Sequence, residues 1–179
     1  MPDTMALVER ARHNDASAFS ELYARYYKEM YRYAYYMLGS TEDAEDVVMD
    51  TVADAYASID SLRDGALFKH WLFKILHNKA KRQRGKIHIN RPLSLNEEFA
   101  GMPEESVEGE FENADILAAL SQLSGEERSI IALSVVAGYT SKEISMVLSI
   151  NANTVRSKQQ RALTKLRRLL DGRQEGLNG

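Results

Sequence analysis

Apolar side chains in the first half of the chain recur at spacings of three and four residues. One such stripe runs from Ala18 to Leu38, and two more lie in residues 44–59 and 67–76. This spacing is the period of an amphipathic α-helix, so the pattern predicts three long helices. Gly39 stands where a helix C-cap residue belongs, and Ser40 is the expected N-cap of the next helix. Few glycines and no proline interrupt residues 3–91, which favours long helices over many short strands.

The pattern changes between residues 91 and 112. Pro92, Gly101, Pro103 and Gly109 stand here among many acidic residues, and the residue before a proline disfavours helix. We therefore expect a flexible acidic linker in residues 91–112. Helical spacing then resumes, and no strand-like alternation competes with it. The sequence predicts an all-α fold of two small helical domains, in residues 1–90 and 113–172, and a disordered tail in residues 173–179.

Residues 138–163 carry the pattern of a helix-turn-helix motif. Thr140 and Glu143 form a capping box ahead of a short helix at about 141–148, and a tight turn leads into a longer helix at about 152–170. Ile144 and Val155 are expected to pack these two helices together. In this motif the second helix enters the DNA major groove, where Arg, Asn and Gln side chains reach base edges. The alternative is an amphipathic helix with a solvated basic face.

Composition narrows the classes of function. The chain has 179 residues, with 23 Lys and Arg against 26 Asp and Glu, a net charge of -3, and no cysteine. The lack of cysteine excludes disulfide scaffolds, Cys-ligated zinc, iron–sulfur clusters and thiol nucleophiles. No apolar run approaches the roughly 18–20 residues of a membrane span. We therefore expect a cytoplasmic protein without membrane insertion.

The small net charge conceals strong local blocks of charge. Residues 42–64 contain eight acidic side chains opposed only by Arg63, and residues 69–91 contain eight basic side chains with no acid. Part of this opposition is expected to be salt bridging between neighbouring helices. Phe68, Trp71 and Phe73 are interleaved with the basic block, and cations beside aromatic rings suit a single-stranded nucleic acid. The alternative is that Phe68 and Trp71 lie in the core, as their helical spacing indicates.

Metal and catalytic sites find little support in the sequence. His70 and His77 are seven residues apart, so they share one helix face but lie two turns apart, too far to chelate one ion. There is no Gly-rich phosphate loop and neither a GxSxG nor an HExxH motif. We therefore predict no cofactor, no metal and no enzymatic activity.

Several motifs in a fixed order resemble one protein family. They are FSELYARYY at 19–27, YRYAY at 31–35, LG at 38–39, DAEDVVMDT at 43–51, FKHWLFKI at 68–75 with Asn78, LSGEER at 123–128 and TVRS at 154–157. Together they resemble the extracytoplasmic-function (ECF, group 4) sigma factors of bacterial RNA polymerase, in the sigma-70 family, over about residues 5–170. The resemblance implies a promoter-specificity subunit with a region 2-like and a region 4-like domain, which bind the -10 and -35 elements.

The resemblance also implies partners and three sets of binding residues. Core polymerase would be bound through its beta-prime and beta subunits, with the clamp helices of beta-prime contacting Asp43, Glu45, Asp46, Val47, Met49 and Asp50. The melted -10 strand would be bound by Arg63, Asp64, Lys69, Trp71, Lys74, Asn78, Lys79, Lys81 and Arg82, with a loop at residues 61–66 capturing a flipped base. The duplex -35 element would be read by Thr140, Asn153, Thr154, Arg156, Ser157, Lys158, Gln160 and Arg161. By analogy, an anti-sigma factor is a further expected partner.

Several positions depart from the family pattern. Lys158 and Asn153 differ from common choices, so a consensus -35 sequence is not carried over. Met49 replaces a common Gln and Val52 a common aromatic residue, which bears on the detail of polymerase docking. Ser149 replaces a usual Gly in the turn, so a left-handed backbone there carries some cost. Gln159 replaces a frequent Leu, and it either weakens the local core or adds a DNA contact.

Two other functions stay open at this point. A stand-alone helix-turn-helix regulator would bind duplex DNA without polymerase. A polymerase-binding interaction protein would bind core polymerase without supporting transcription. The sequence does not give the promoter sequence, the regulon or the inducing signal.

Overall fold

Eight α-helices make up the described part of the chain. The computed structural model describes residues 3–90 and 110–177, with the side chains of residues 3–86 and 114–172. The helices are α1 (Thr4–Arg12), α2 (Ala16–Leu38), α3 (Thr41–Ser58), α4 (Phe68–Asn90), α5 (Glu110–Ser121), α6 (Gly125–Val136), α7 (Ser141–Leu148) and α8 (Ala152–Leu177). Two short 3₁₀ helices, Ile59–Ser61 and Gly65–Leu67, connect α3 to α4. These ranges contain no strand, and the predicted all-α fold is confirmed.

Helix ends follow the capping signals of the sequence. Gly39 adopts φ 74°, a left-handed conformation that ends α2, and the Ser40 side chain accepts a hydrogen bond from the Asp43 amide at the start of α3. Capping boxes are formed at Ser124 with Glu127 and at Thr140 with Glu143. In each box the backbone hydrogen bond from the cap residue lowers the pKa of the glutamate. The predicted caps at Gly39, Ser40 and Thr140 are therefore confirmed.

Helices α1–α4, here called the N-terminal bundle, enclose a large aromatic and aliphatic core. Tyr33, Phe68 and Phe73 are fully buried in it, together with Leu22 and Met30. The alternative that Phe68 belongs to the core is thereby confirmed. Trp71 is half-buried and packs against the same core.

Helices α5–α8, here called the C-terminal bundle, pack directly on the N-terminal one. Helix α6 contacts α2, and α7 contacts α4. One cluster of buried apolar side chains is continuous through both bundles and includes Ile130, Leu133 and Ile144 from the C-terminal bundle. The described parts of the chain therefore adopt a closed arrangement.

Two predicted boundaries need correction. Helix α8 continues to Leu177, so residues 173–177, predicted as a disordered tail, have a helical backbone. Gly172 and Gly176 lie inside α8, and each glycine costs a helix only about 1 kcal/mol. Helix α5 begins at Glu110, so it includes the last three residues of the predicted linker. Acidic side chains at its start are favoured by the helix dipole. Residues 91–109 of the predicted linker lie outside the described residues.

Candidate nucleic-acid and partner interfaces

The surface of α3 combines acidic and apolar side chains. Glu45, Asp46 and Asp50 are exposed, and the Met49 side chain is 60% exposed between them. Asp43 is half-buried, and its Oδ1 accepts a hydrogen bond of 2.7 Å from Gln83 Nε2. This mixture of charge and exposed apolar area is typical of a protein-binding surface rather than of a solvated face.

Val47 does not belong to that surface. It is 5% exposed and lies in the core with its neighbours on the apolar face of α3. Position 47 therefore falls on the buried stripe of the helix, and the contact of Val47 with a partner stays a prediction.

Sequence reasoning missed Tyr56, which extends the α3 surface. Met49, Val52 and Tyr56 follow one another at spacings of three and four, so they share one helix face. Tyr56 is 45% exposed, and its ring packs edge-on against Phe19 at 5.0 Å. The spacing of Tyr56 from Met49 was the feature of the sequence that could have predicted its place on this surface. With Tyr56 included, the apolar part of the surface is two helical turns long.

A basic face runs along α4. Lys74, Asn78, Lys81 and Arg82 are exposed, and the half-buried Trp71 lies one turn before Lys74. Their spacings place all five on one side of the helix. Cations and an aromatic ring are thus brought together as a single-stranded nucleic acid requires.

Two other lysines of the basic block are engaged within the chain. Lys79 Nζ lies 2.7 Å from Asp54 Oδ2, and Lys69 Nζ lies 2.7 Å from Glu29 Oε2. The predicted salt bridging between the acidic and basic blocks is confirmed for Lys79, whereas Glu29, the partner of Lys69, lies on α2 outside the acidic block. In this closed arrangement both lysines are paired with carboxylates, and their contacts with DNA stay predictions.

The segment between α3 and α4 is held against α1. Leu62 is buried, and a Cβ added at Gly65 would meet Val8 Cγ1 at 3.5 Å. Arg63 and Asp64 are exposed, and Asp64 Oδ1 accepts a hydrogen bond of 2.9 Å from the Ala66 amide. The candidate base-capturing loop is therefore anchored at Leu62 and Gly65, with two charged side chains at its surface.

Helices α7 and α8 form the predicted helix-turn-helix. Ile144 and Val155 are both fully buried between the helices. Ser149 adopts φ 57° in the turn, the left-handed conformation expected to carry a cost for a residue with a side chain. The Asn151 side chain then accepts a hydrogen bond of 2.8 Å from the Asn153 amide at the start of α8.

The first turns of α8 present an exposed polar surface. Arg156 Nη1 donates a hydrogen bond of 2.7 Å to Asn153 Oδ1, which holds the guanidinium over the helix N-terminus. The other exposed candidates are Thr154, Ser157, Gln160 and Arg161.

Three neighbouring side chains make contacts within the fold. Lys158 Nζ pairs with Glu126 Oε2 at 2.7 Å, and the Thr140 hydroxyl caps α7. Gln159 Nε2 donates to Ser134 Oγ at 2.9 Å, so this departure from leucine links α8 to α6.

Comparisons with known proteins agree with this geometry. The family model of sigma-70 region 2 matches residues 22–87, and that of sigma-70 region 4 matches residues 113–166. The RNA polymerase sigma factor NccH of Alcaligenes xylosoxydans xylosoxydans is 31% identical over 94% of this chain and 95% of its own length. The ECF RNA polymerase sigma factor BldN of Streptomyces coelicolor is 33% identical over 93% of this chain, which spans 65% of BldN. The chain belongs to the ECF sigma factors of the sigma-70 family. This confirms the predicted RNA polymerase sigma factor, and the family consists of non-enzymatic initiation factors.

A solved structure shows the same fold in a relative. The sigma factor RpoE of Bartonella quintana, in complex with the anti-sigma factor NepR, superposes with a TM-score of 0.70 and 28% identity. The superposition covers 86% of this chain and 96% of that one. In this sigma factor, α1–α4 contain the region 2 match and α5–α8 the region 4 match.

Tyr139 joins the two halves of this sigma factor. Its ring stacks on His70 at 4.9 Å and meets Phe73 edge-on at 5.7 Å, while Lys69 Nζ lies 5.3 Å from its centre. Lys69 also donates to the Ala137 carbonyl oxygen at 3.1 Å, and Glu143 Oε1 lies 3.3 Å from His70 Nε2. These contacts were missed by sequence reasoning, which had considered His70 only as a metal ligand.

His77 has a structural role in this sigma factor. Its Nδ1 and the Tyr33 hydroxyl are 2.8 Å apart in a buried hydrogen bond. Burial lowers the pKa of His77 to about 4, with nearby Lys81 adding to the effect, so the imidazole is neutral at pH 7. No group of side chains in the described ranges could hold a metal ion, and no described helix is long and apolar enough to cross a membrane.

Proposed function

We propose that this sigma factor binds core RNA polymerase through α3 and directs initiation at promoters with a -10 and a -35 element. One observation carries the proposal: a basic face with an aromatic ring on α4 and an exposed polar helix start on α8 belong to the same chain. The first suits a melted strand and the second suits the major groove of a duplex. Residues 1–90, 91–112 and 113–172 are the proposed region 2, linker and region 4 units, and the proposed location is the cytoplasm.

Polymerase binding is assigned to the acidic and apolar surface of α3. Asp46 and Asp50 supply charge at its rim, and Met49 and Tyr56 supply apolar area at its centre. Apolar centres with charged rims are the usual layout of specific protein interfaces. A basic surface on the beta-prime clamp helices is the complementary partner.

Promoter recognition is divided between α4 and α8. Lys74, Lys81 and Arg82 would neutralise phosphates of the melted -10 strand while Trp71 offers a ring for stacking. Arg156 and Asn153 would reach base edges of the -35 duplex, where Arg pairs with guanine and Asn with adenine.

The closed arrangement cannot read both elements at once. Elements centred at -35 and -10 are about 25 base pairs apart, or about 85 Å at about 3.4 Å per pair. The two bundles touch, with the rings of His70 and Tyr139 4.9 Å apart. The longest helix, α8, has 26 residues and spans only about 39 Å. We therefore propose that the bundles separate when the sigma factor binds polymerase and promoter.

An anti-sigma factor is the proposed regulatory partner. The support is that RpoE, a relative with the same fold, was solved in complex with the anti-sigma factor NepR. A partner that contacts both bundles would stabilise the closed arrangement at the expense of the open one.

Charge reversal on α3 tests the assignment. Asp46→Lys with Asp50→Lys should abolish co-purification with core polymerase, because two cations would face the basic partner surface. The matched control is Asp171→Lys, an exposed acid on α8, which should bind like the wild type. Equal binding by the α3 variant would contradict the assignment. Tight binding of the free protein to duplex operators would instead favour the stand-alone regulator.

A further inference from the structure

Buried polar side chains without a hydrogen-bond partner concentrate where the two bundles meet. Within the described residues, such atoms belong to Glu29, His70, Arg84, Arg128 and Tyr139. Glu29 keeps its ion pair with Lys69, the lysine whose amine also lies over the Tyr139 ring. Folded proteins pair nearly all of their buried polar groups, so exceptions gathered at one contact require a physical explanation.

Two of these side chains are arginines, one from each bundle. A Cβ added at Gly125, the first residue of α6, would lie 3.1 Å from Arg84 Nη1, and Arg128 follows about one turn later on α6. Arg128 Nη1 donates to the Met37 carbonyl oxygen of α2 at 3.3 Å, whereas its Nη2 has no partner within the described part of the chain. Burial and then the charge of Arg84 lower the pKa of Arg128 to about 10. The two cations therefore repel each other across the contact.

The acidic side chains at the start of α6 have other partners. Glu126 Oε2 pairs with Lys158 at 2.7 Å, and Glu127 Oε2 accepts the Ser124 amide at 3.0 Å in the capping box. Both carboxylates are thus committed within the C-terminal bundle. Closing the bundles withdraws two like charges from water together, which is unfavourable without a paired anion.

Polar groups around Tyr139 are also poorly paired. The Tyr139 hydroxyl and His70 Nδ1 are buried without a hydrogen bond to any described residue, although their rings stack at 4.9 Å. Lys69 Nζ donates across the contact to the Ala137 carbonyl oxygen at 3.1 Å. This bond and the 3.3 Å bond of Arg128 are longer than the usual 2.9–3.0 Å. The attraction between the bundles therefore comes mainly from rings and apolar side chains.

The two bundles do not fill the space between them. A cleft of about 230 Å³ is lined by Met37 and Arg84 of the N-terminal bundle and by Gly125, Ser129 and Leu148 of the C-terminal bundle. Side chains beside such a gap lose part of the dispersion attraction that close packing provides. The contact is thus weakened in its packing as well as in its hydrogen bonding.

We propose that the closed arrangement is a weakly held state that is poised to open, stabilised by the rings around Tyr139 and opposed by Arg84 and Arg128. When the bundles separate, the unpaired groups regain hydrogen bonds to water and the two cations move apart. A partner that binds the open chain then has little free energy to overcome. This consequence for polymerase and promoter binding rests on the proposed function, whereas the balance of forces in the free chain does not.

Urea titration of the full-length chain, with the distance between the bundles as the readout, tests the proposal. A dye pair at Lys28→Cys on α2 and Arg167→Cys on α8, both exposed, reports separation, and circular dichroism reports helix content. In the wild type we expect the bundles to separate at a lower urea concentration than the one that melts the helices.

Arg84→Met should stabilise the closed arrangement, because it removes the guanidinium and keeps an unbranched apolar chain. The ratio of closed to open molecules should rise about fivefold or more, which moves separation to higher urea. The matched control is Lys86→Gln, an exposed cation two residues along α4, which should separate like the wild type. Tyr139→Phe removes only the unpaired hydroxyl, so it should also move separation to higher urea.

Three results would overturn the proposal. Separation that coincides with helix melting in the wild type would show that the contact is as stable as the bundles. Separation of Arg84→Met at the same or lower urea would show that the arginine pair does not oppose closing. An equal rise in Lys86→Gln would assign the effect to overall charge. If the distances change as expected while the chain supports no promoter-specific transcription, the inference stands and the proposed function fails.

Discussion

Tyr139→Ala should open the closed arrangement without unfolding either bundle. The ring contacts observed for Tyr139 are with Lys69, His70 and Phe73 of the other bundle. Removing the ring therefore weakens the contact between the bundles more than it weakens region 4 itself. The open chain should then expose the basic face of α4 and the start of α8 independently.

The size of the effect follows from these contacts. Each aromatic pair contributes about 0.5–1.5 kcal/mol beyond its buried area, and the lysine over the ring about 0.5–2 kcal/mol. Truncation of a large buried aromatic side chain costs about 3–5 kcal/mol in total. Even the lower value would reduce the ratio of closed to open molecules by about 100-fold, since about 1.4 kcal/mol is a factor of ten.

The distance between the bundles is the quantity to measure. The chain has no cysteine, so Lys28→Cys on α2 and Arg167→Cys on α8, both exposed, can carry a spin-label or dye pair without background labelling. Wild type should give a single short distance, and Tyr139→Ala a broad distribution at longer distance. Circular dichroism should show the same helix content in both.

Tyr139→Phe is the control for this experiment. The Tyr139 hydroxyl is buried without a partner in the described structure, so its removal leaves no lost hydrogen bond and keeps every ring contact. The phenylalanine variant should stay closed. An unchanged short distance in a folded Tyr139→Ala would refute the reasoning that this ring holds the bundles together.

Three further predictions follow from individual side chains. Arg156→Ala should weaken transcription about 5- to 150-fold at promoters that depend on the -35 element, because base contacts of this type contribute about 1–3 kcal/mol; comparing promoters with and without that element in run-off assays checks it. Lys74→Ala should slow promoter melting in stopped-flow assays. Lys79→Ala breaks the pair with Asp54, so it should mainly lower thermal stability. The reverse result would contradict the placement of both lysines. The free energy of unfolding should fall by about 2–3 kcal/mol between pH 6.5 and pH 4.5. The reason is that His77 stays neutral in the folded chain, where its pKa is lowered to about 4, whereas the same side chain takes up a proton in the unfolded chain. In denaturant titrations, His77→Gln should show a smaller fall over the same pH range.

Local features of the fold were predictable from the sequence. The capping box at Thr140 and the left-handed Gly39 follow from residue types within four positions of one another, whereas the left-handed turn at Ser149 was expected from the family resemblance. Capping depends on short-range hydrogen bonds, so the sequence alone carries that information. The packing of Ile144 on Val155 followed in the same way from helical spacing.

The pairing of charges was not predictable residue by residue. Lys79 pairs with Asp54 and Lys158 with Glu126 across 25 or more residues of chain. A charge block in the sequence shows that opposite signs will meet, but the identity of each pair depends on how the helices pack. Gln159 illustrates the same limit, because its bond to Ser134 is set by the approach of α6 to α8.

Val47 shows two kinds of sequence evidence in conflict. Resemblance placed it in the polymerase-binding set, whereas helical spacing placed it on the apolar stripe of residues 44–59, and its side chain is 5% exposed in the core. No short-range sequence pattern predicted the contact between the bundles, because Tyr139 and His70 lie on opposite sides of the linker in the sequence.

Promoter-specific initiation by reconstituted holoenzyme tests the central claim most directly. Purified core RNA polymerase would be combined with this chain and supplied with sheared genomic DNA of the source bacterium, and the 5′ ends of the transcripts would be mapped. The account predicts a limited set of start sites that share two sequence elements at constant spacing and vanish when the chain is omitted. Start sites identical to those of core polymerase alone would contradict it.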